Sequence, residues 1–240
     1  NLRGPPPPKL WGGGKRTIAL NLAGWMGYEG RSVLLVDADA NLGNLDVMLG
    51  MAPVHRVGEV LRSECGIDDV LVAAMSNVTL LPGSSGDPMY PFPRNGDQRD
   101  VLHILESAGE RFDVVLIDTS AGLSQENIGY ALSAGETVVV SNARPTAIMD
   151  SYAVIKQFLI EGVTGVKILM NGVHDLREAN EAAEKLRTAV HHFLKTDIEY
   201  LGAIPFDPHA VDAETRQDAL MRIHPSSRAS RSMRKLAARF

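Results

Sequence analysis

Cysteine is nearly missing from this 240-residue chain, where Cys65 stands alone. A single thiol excludes an intramolecular disulfide, and with it any cysteine-ligated cluster or zinc site built within one chain. Cys65, in the loop Ser63-Glu64-Cys65-Gly66, reads as a small packing side chain. Long apolar runs are missing too. None approaches the roughly 18 residues that a membrane-spanning helix needs. The start, Asn1-Leu2-Arg3-Gly4, has neither an initiator Met nor the apolar centre of a signal peptide. The expectation is a cytoplasmic protein, represented here by an incomplete N-terminus. Positive charge is not in excess either: 24 Lys and Arg stand against 29 Asp and Glu, a net charge of −5. No general attraction to nucleic acid or to an anionic membrane follows from that balance.

What is present is apolar material, 45% of the residues, enough for one large domain with a well-buried core. It comes in short runs: 32–36 (SVLLV), 78–81 (VTLL), 114–117 (VVLI), 137–140 (TVVV), 166–170 (VKILM) and 200–204 (YLGAI). Continuous Val, Ile and Leu suit strands buried on both faces of a parallel sheet. Helical patterns lie between them. Residues 145–160 place Ile148, Tyr152, Ile155 and Leu159 on one stripe, with Pro145 suited to the first turn, and 98–108 and 178–194 behave alike. Strand and helix in alternation predict an α/β fold: a doubly wound, mostly parallel sheet in three αβα layers, with right-handed crossovers. The segment 86–96 (GDPMYPFPRNG) is the one irregular insertion, so 1–240 is expected to form a single domain.

Each run leads into polar residues. The first meets Asp37 and Asp39, the second Gly83 to Gly86, the third Asp118, the fourth Ser141 and Asn142, the fifth Asn171, and the sixth Pro205 and Asp207. One such ending is an ordinary turn or helix cap. Six on one edge point to a site, because ligands of open α/β sheets bind outside the carboxyl ends of the strands. Gly12-Gly13-Gly14-Lys15 precedes the amphipathic segment 17–25. Glycines let backbone wrap a phosphate, a helix N-terminus offers free N–H groups, and a lysine adds charge.

Together these segments resemble the MinD/ParA family of deviant Walker-A P-loop ATPases. The resemblance rests on Gly14-Lys15, Asn21-Leu22-Ala23, VLLVDADANLGNLDVMLG at 33–50 and FDVVLIDTSAGLS at 112–124. Three more segments, LLPGSSG at 80–86, PTAIMDSYAVIK at 145–156 and YLGAIPFDP at 200–208, are similar to its branch of flagellar number and placement regulators, FlhG. The match spans roughly residues 12–240. It implies ATP and Mg2+ as cofactors. Gly12, Gly13, Gly14, Lys15, Arg16 and Thr17 would form the phosphate loop, with Lys15 on the β- and γ-phosphates. Asp39 would orient the attacking water, and Asp37 and Asp118 would support Mg2+. Thr119 to Gly122 would sense the γ-phosphate, Asn171 would read adenine, and Pro205 to Asp207 would lie along the base. Phosphoryl transfer asks little more of a protein than positioning and charge neutralisation.

The phosphate loop departs from the family's Lys-Gly-Gly-x-Gly-Lys-Thr. Leu10 stands where the signature lysine belongs, Trp11 replaces the first glycine, and Arg16 replaces the hydroxyl residue that coordinates Mg2+. Thr17 cannot substitute for it, because one helical step turns a side chain by about 100°. Gly4-Pro5-Pro6-Pro7-Pro8 stands where a buried strand should be, and four prolines cannot pair within a sheet. Residues 1–11 are thus an atypical Pro-rich segment. Faults so concentrated point to a damaged N-terminus on an otherwise intact family member. The alternative is a pseudo-ATPase.

The expected function is an ATP-dependent dimerisation switch regulating flagellar number or placement, with slow hydrolysis as its timer. Resemblance implies a homodimer and, as partners, a flagellar GTPase, a flagellar transcription activator or switch-complex proteins. Two rivals are a non-hydrolysing interaction protein of the same fold and a ParA-like DNA partition ATPase, the latter disfavoured by net acidity. Residues 226–240 carry Arg228, Arg231, Arg234, Lys235 and Arg239 around Met233, Leu236, Ala237 and Phe240. A helix there docks on the sheet or lies on the inner face of a membrane, with docking favoured. Adjacent His191 and His192 face different directions, and His209 and His224 stand at no ligand spacing, so none is expected to bind metal.

Overall fold

The computed structural model describes residues 14–39, 43–83 and 97–240, the side chains of 97–101 and 104 excepted. The proline run, Leu10 to Gly13 and the whole of the 86–96 insertion lie outside these residues. The described residues open with α1 (Lys15–Tyr28) and β1 (Val33–Ala38), then three short helices, α2 (Leu45–Met48), α3 (Val57–Leu61) and α4 (Ile67–Val70). A hairpin of β2 (Val72–Met75) and β3 (Val78–Leu81) follows, then α5 (Asp97–Gly109), β4 (Val114–Thr119), α6 (Gln125–Ser133) and β5 (Thr137–Ser141). The chain continues through α7 (Pro145–Ile160), β6 (Val166–Val173), α8 (Leu176–Leu194) and β7 (Glu199–Pro205). It ends in α9 (His209–Thr215), α10 (Leu220–Ile223) and α11 (Arg228–Ala237).

All six expected strands are present. Among the described residues their hydrogen bonds form two ladders rather than one, β2-β3-β1-β4 and β5-β6-β7. Every pairing is parallel except β2 with β3. The antiparallel strand β2 was not anticipated. Its turn is Ser76-Asn77, with Asn77 in the left-handed region at φ 56°, a conformation asparagine tolerates.

Alternation along the strands makes the layers. Leu35 and Leu80 of the first ladder and Leu169, Leu201 and Ile204 of the second share one core cluster with α1, α10 and α11. Leu34, Val36 and Leu81 belong instead to a cluster with α3, α4 and α5. Val139, Ile168 and Met170 pack with α7 and α8. Helix α6 reaches both of these clusters, Tyr130 in one and Ile128 and Ala131 in the other. Helices therefore cover both faces, and α1 spans the two ladders with its N-terminus at the carboxyl ends of the strands.

Candidate nucleotide site

The site is organised by the first turn of α1. Gly14 caps it in the left-handed conformation, φ 72°, which a side chain disfavours. A Cβ there would also stand 2.4 Å from Nδ2 of Asn171, on β6, so glycine lets the loop press against the Asn171 amide. The next three residues fan out as a helix requires. Lys15 Nζ donates to the carbonyl of Ser120, 2.6 Å away beyond β4. Arg16 forms an ion pair with Asp39, and its Nε lies 3.8 Å from Oδ2 of Asp118. Thr17 turns the other way, into a cleft lined also by Asn171, Pro205, Phe206 and Asp207.

The two carboxylate strands meet in register, Asp37 on β1 directly opposite Asp118 on β4. Both aspartates lie within their strands, so the polar residues expected after the apolar runs are still part of the ladder. Asp37 Oδ2 accepts from Leu45 N (3.0 Å) and Oδ1 from Asp39 N (3.4 Å). Burial pushes Asp37 up to about 6, although those two N–H groups work against the rise. Burial, reinforced by the neighbouring Asp37 charge, pushes Asp118 up to about 7 against the pull of Lys15 and Arg16. Burial likewise lowers Lys15, partly offset by Asp118 and Asp39. Asp118 Oδ2 is buried without a hydrogen-bond partner, a costly arrangement that a cation at the site would relieve. Asp37 and Asp118 therefore suit a hard cation such as Mg2+ on the acceptor side. The side chain at 16 does not, since a guanidinium donates and cannot coordinate.

Gly122, at φ 91°, sits in the loop after β4. Asp207, expected to lie along a base, lines the cleft with Asn171, and its carboxylate is engaged by the chain that follows. Its Oδ2 accepts from Ala229 N at the start of α11 (2.9 Å), and its Oδ1 from the backbone (3.1 Å) and ring (2.8 Å) of His209. Burial would raise this carboxyl, but those hydrogen bonds and one from Ser227 outweigh it and hold it at about 2. The carboxylate fastens the β7–α11 corner, and residues 205–207 line the cleft. A second hollow, between Lys156, Val163, Lys167, Leu194 and Glu199, lies at the opposite ends of β6 and β7, away from these groups.

The profile of the AAA domain matches residues 10–181. The antiactivator FleN of Pseudomonas aeruginosa is 30% identical over 227 residues, covering 94% of this chain and 81% of FleN. The flagellum site-determining protein YlxH of Helicobacter pylori is 26% identical, over 94% of this chain and 77% of its own. The septum site-determining protein MinD of Pyrococcus horikoshii, solved with Mg-ADP, superposes with a TM-score of 0.80 at 26% identity, over 95% of this chain and 91% of that one. The chain belongs to the MinD/ParA family.

Some residues around these groups had no role assigned from sequence. Asn127, 4% exposed, donates through Nδ2 to the carbonyls of Ser120 (3.1 Å) and Gly122 (2.9 Å). It thereby pins the loop that Lys15 also holds. Its position three residues after the cap Ser124 is the only signal the letters carry. Arg56 ties Asp46 Oδ2 (2.7 Å) to the carbonyl of Gly83 (2.9 Å), bracing the strand ends from the far side. Asn21, in the Asn21-Leu22-Ala23 segment, bonds Thr17 O and Met221 N and so is a clamp between α1 and α10.

The C-terminal helix is docked. Met233, Leu236 and Ala237 of α11 are buried in the core shared with α1, so this stripe is not free to enter a membrane surface. Arg234 lies over the Trp25 ring, 4.9 Å from its centroid, and Arg239 pairs with Glu199 and donates to Leu201 O. No helix among the described residues is long and apolar enough to cross a membrane. His209 and His224, which stand at no metal-ligand spacing in the sequence, meet as tilted rings with centroids 4.4 Å apart and pair with Asp207 and Asp212. His191 lies at the surface, against Asp197.

Proposed function

We propose that this chain is an ATP-dependent dimerisation switch of the MinD/ParA type that regulates flagellar number or placement. The observation that carries the proposal is the convergence on one α1 turn of Lys15, Asp39, Asp118 and Asn171, four chemistries that a nucleoside triphosphate requires together. The free N–H groups of the α1 N-terminus and Lys15 bind the phosphates. Asn171 and the backbone of 205–207 receive the base in their cleft. Asp37 and Asp118 hold Mg2+, which when bound supplies charge neutralisation at the phosphates. Asp39 orients the attacking water once Arg16 releases it. Lys15 reads the phosphates against the Ser120 carbonyl, and movement of that one side chain passes the nucleotide state to the loop that Asn127 holds.

Dimerisation through the same edge is supported by four of the exposed apolar side chains, which lie in segments that follow the carboxyl ends of strands. Val47 in α2, Leu123 before α6, Met149 in α7 and Leu176 opening α8 all follow the carboxyl ends of strands and are at least 47% exposed. The flagellar assignment comes from FleN and YlxH, and the partners implied are a flagellar GTPase, a transcription activator or switch-complex proteins. Sedimentation of the purified chain with Mg-ATP, with Mg-ADP and without nucleotide tests the switch. A dimer with ATP alone supports it, and a monomer in all three removes it.

A second reading is favoured by one contact. The Arg16–Asp39 ion pair occupies the carboxylate proposed to orient water, as expected of a non-hydrolysing relative that keeps the fold and partner surface. Nucleotide-dependent dimers without phosphate release identify that case.

A further inference from the structure

Outside the nucleotide edge, one short stretch gathers three different metal-ligating side chains. Glu59 lies in α3, one turn after His55, and its Oε2 stands 2.6 Å from His55 Nδ1. Its other oxygen accepts from Arg56 N at 3.0 Å, which fixes the direction of the carboxylate. The chain then reverses sharply. Ser63 is left-handed at φ 59°, Ser63 N bonds Val60 O and Glu64 N bonds Glu59 O, both at 2.9 Å, so Cys65 returns against the helix it has just left. One imidazole nitrogen, one carboxylate oxygen and the Cys65 sulfur all lie within 4.8 Å of one another.

We propose that His55, Glu59 and Cys65 form a binding site for a single divalent transition-metal ion of the zinc class. A tetrahedral ion with bonds of about 2.0–2.3 Å needs its ligands about 3.3–3.8 Å apart. His55 and Glu59 must separate slightly, which rotamer changes accommodate because all three residues are partly exposed. The same exposure gives the ion an entry path and admits a water as the fourth ligand. Imidazole, carboxylate and thiolate together select zinc-like ions over Mg2+ or Ca2+, which take oxygen donors. The surroundings favour a cation. Three carboxylates, those of Glu59, Glu64 and Asp69, surround the Cys65 thiol. Arg62, the neighbouring base, is engaged with Glu64 at 2.8 Å. A lone cysteine excludes sites built from several thiolates. It does not exclude a mixed one, and only the reversal after α3 reveals the set.

The test is a Co2+ titration of the reduced chain in excess Mg2+, which keeps the carboxylates of the nucleotide edge occupied. The site predicts a sulfur-to-cobalt charge-transfer band saturating at one ion per chain, tetrahedral d–d bands, and loss of both on adding Zn2+. Cys65→Ser abolishes the charge-transfer band, and His55→Gln and Glu59→Gln each weaken binding at least about tenfold. Matching circular dichroism melts establish that each variant is folded. No charge-transfer band in the wild type, or an identical titration in Cys65→Ser, overturns the proposal.

Discussion

The guanidinium of Arg16 is paired with the carboxylate of Asp39, and the same group lies 3.8 Å from Asp118. A chain that lacks the hydroxyl at this position has placed a cation of its own among the acidic side chains. Replacing Arg16→Thr therefore has two expected effects. Without nucleotide, Asp37, Asp39 and Asp118 lose a counter-ion, and the fold weakens by about 1–3 kcal/mol. With Mg-ATP that loss is recovered and phosphate release rises at least about tenfold over wild type. Melting curves with and without Mg-ATP, alongside a phosphate assay, measure both.

Asn127→Ala removes the amide that bonds two carbonyls of the 120–122 loop. Two part-buried hydrogen bonds are lost, though Ser120 O keeps its Lys15 donor, and a cost of about 1–2 kcal/mol is expected, measurable by urea denaturation. If the loop transmits nucleotide state, the variant binds ATP yet no longer dimerises in response, which sedimentation distinguishes from simple unfolding.

Gly14→Ala places a methyl group in a left-handed conformation and against Asn171. A loss of about 1–3 kcal/mol is expected. Adding Asn171→Ala to the same chain removes the clash but not the backbone strain, so the double variant recovers only part of the loss. Full additivity of the two single effects contradicts the contact.

Asp207 sets a dependence on acid. Its carboxyl is held at about 2 in the folded chain, below its ordinary 3.8, so the unfolded chain binds more protons between those values. Its contribution, about 2 kcal/mol, is complete above about pH 5 and is lost as pH falls from about 4 toward 2. Asp207→Asn should be less stable than wild type near neutrality, and the gap should close in acid. A gap that stays constant with pH assigns the loss to packing alone.

Met233→Ala tests the docking of α11. A buried methionine cut to alanine costs about 2–5 kcal/mol, whereas on a helix lying free of the core the melt would hardly move.

Much of this was legible before any coordinates. Runs such as VLLV and KILM are buried on both faces, and the periodicity of 145–160 gave a helix with those bounds. The gathering of Asp37, Asp118 and Asn171 at one sheet edge was legible because each is the polar residue that ends an apolar run, although all three prove to lie within their strands. β2 was missed because Ser76-Asn77 lacks the glycine that usually announces a hairpin. Arg16 was visible as a missing hydroxyl, but its reach to Asp39 depends on the helix starting at Lys15. Asp207 and Asn127 are ordinary letters whose roles arise from the N-terminus of α11 and from the carbonyls of a neighbouring loop. Cys65 looked inert because its partners are assembled by a left-handed residue, Ser63, that no periodicity announces.

The central claim, one nucleotide held between α1, the paired aspartates and Asn171, is tested most directly by hydrogen–deuterium exchange with and without saturating Mg-ATP. The account predicts slowed exchange together at Lys15–Thr17, in the Ser120–Gly122 loop and along 205–207. Unchanged exchange in all three segments, or protection confined to other parts of the chain, contradicts it.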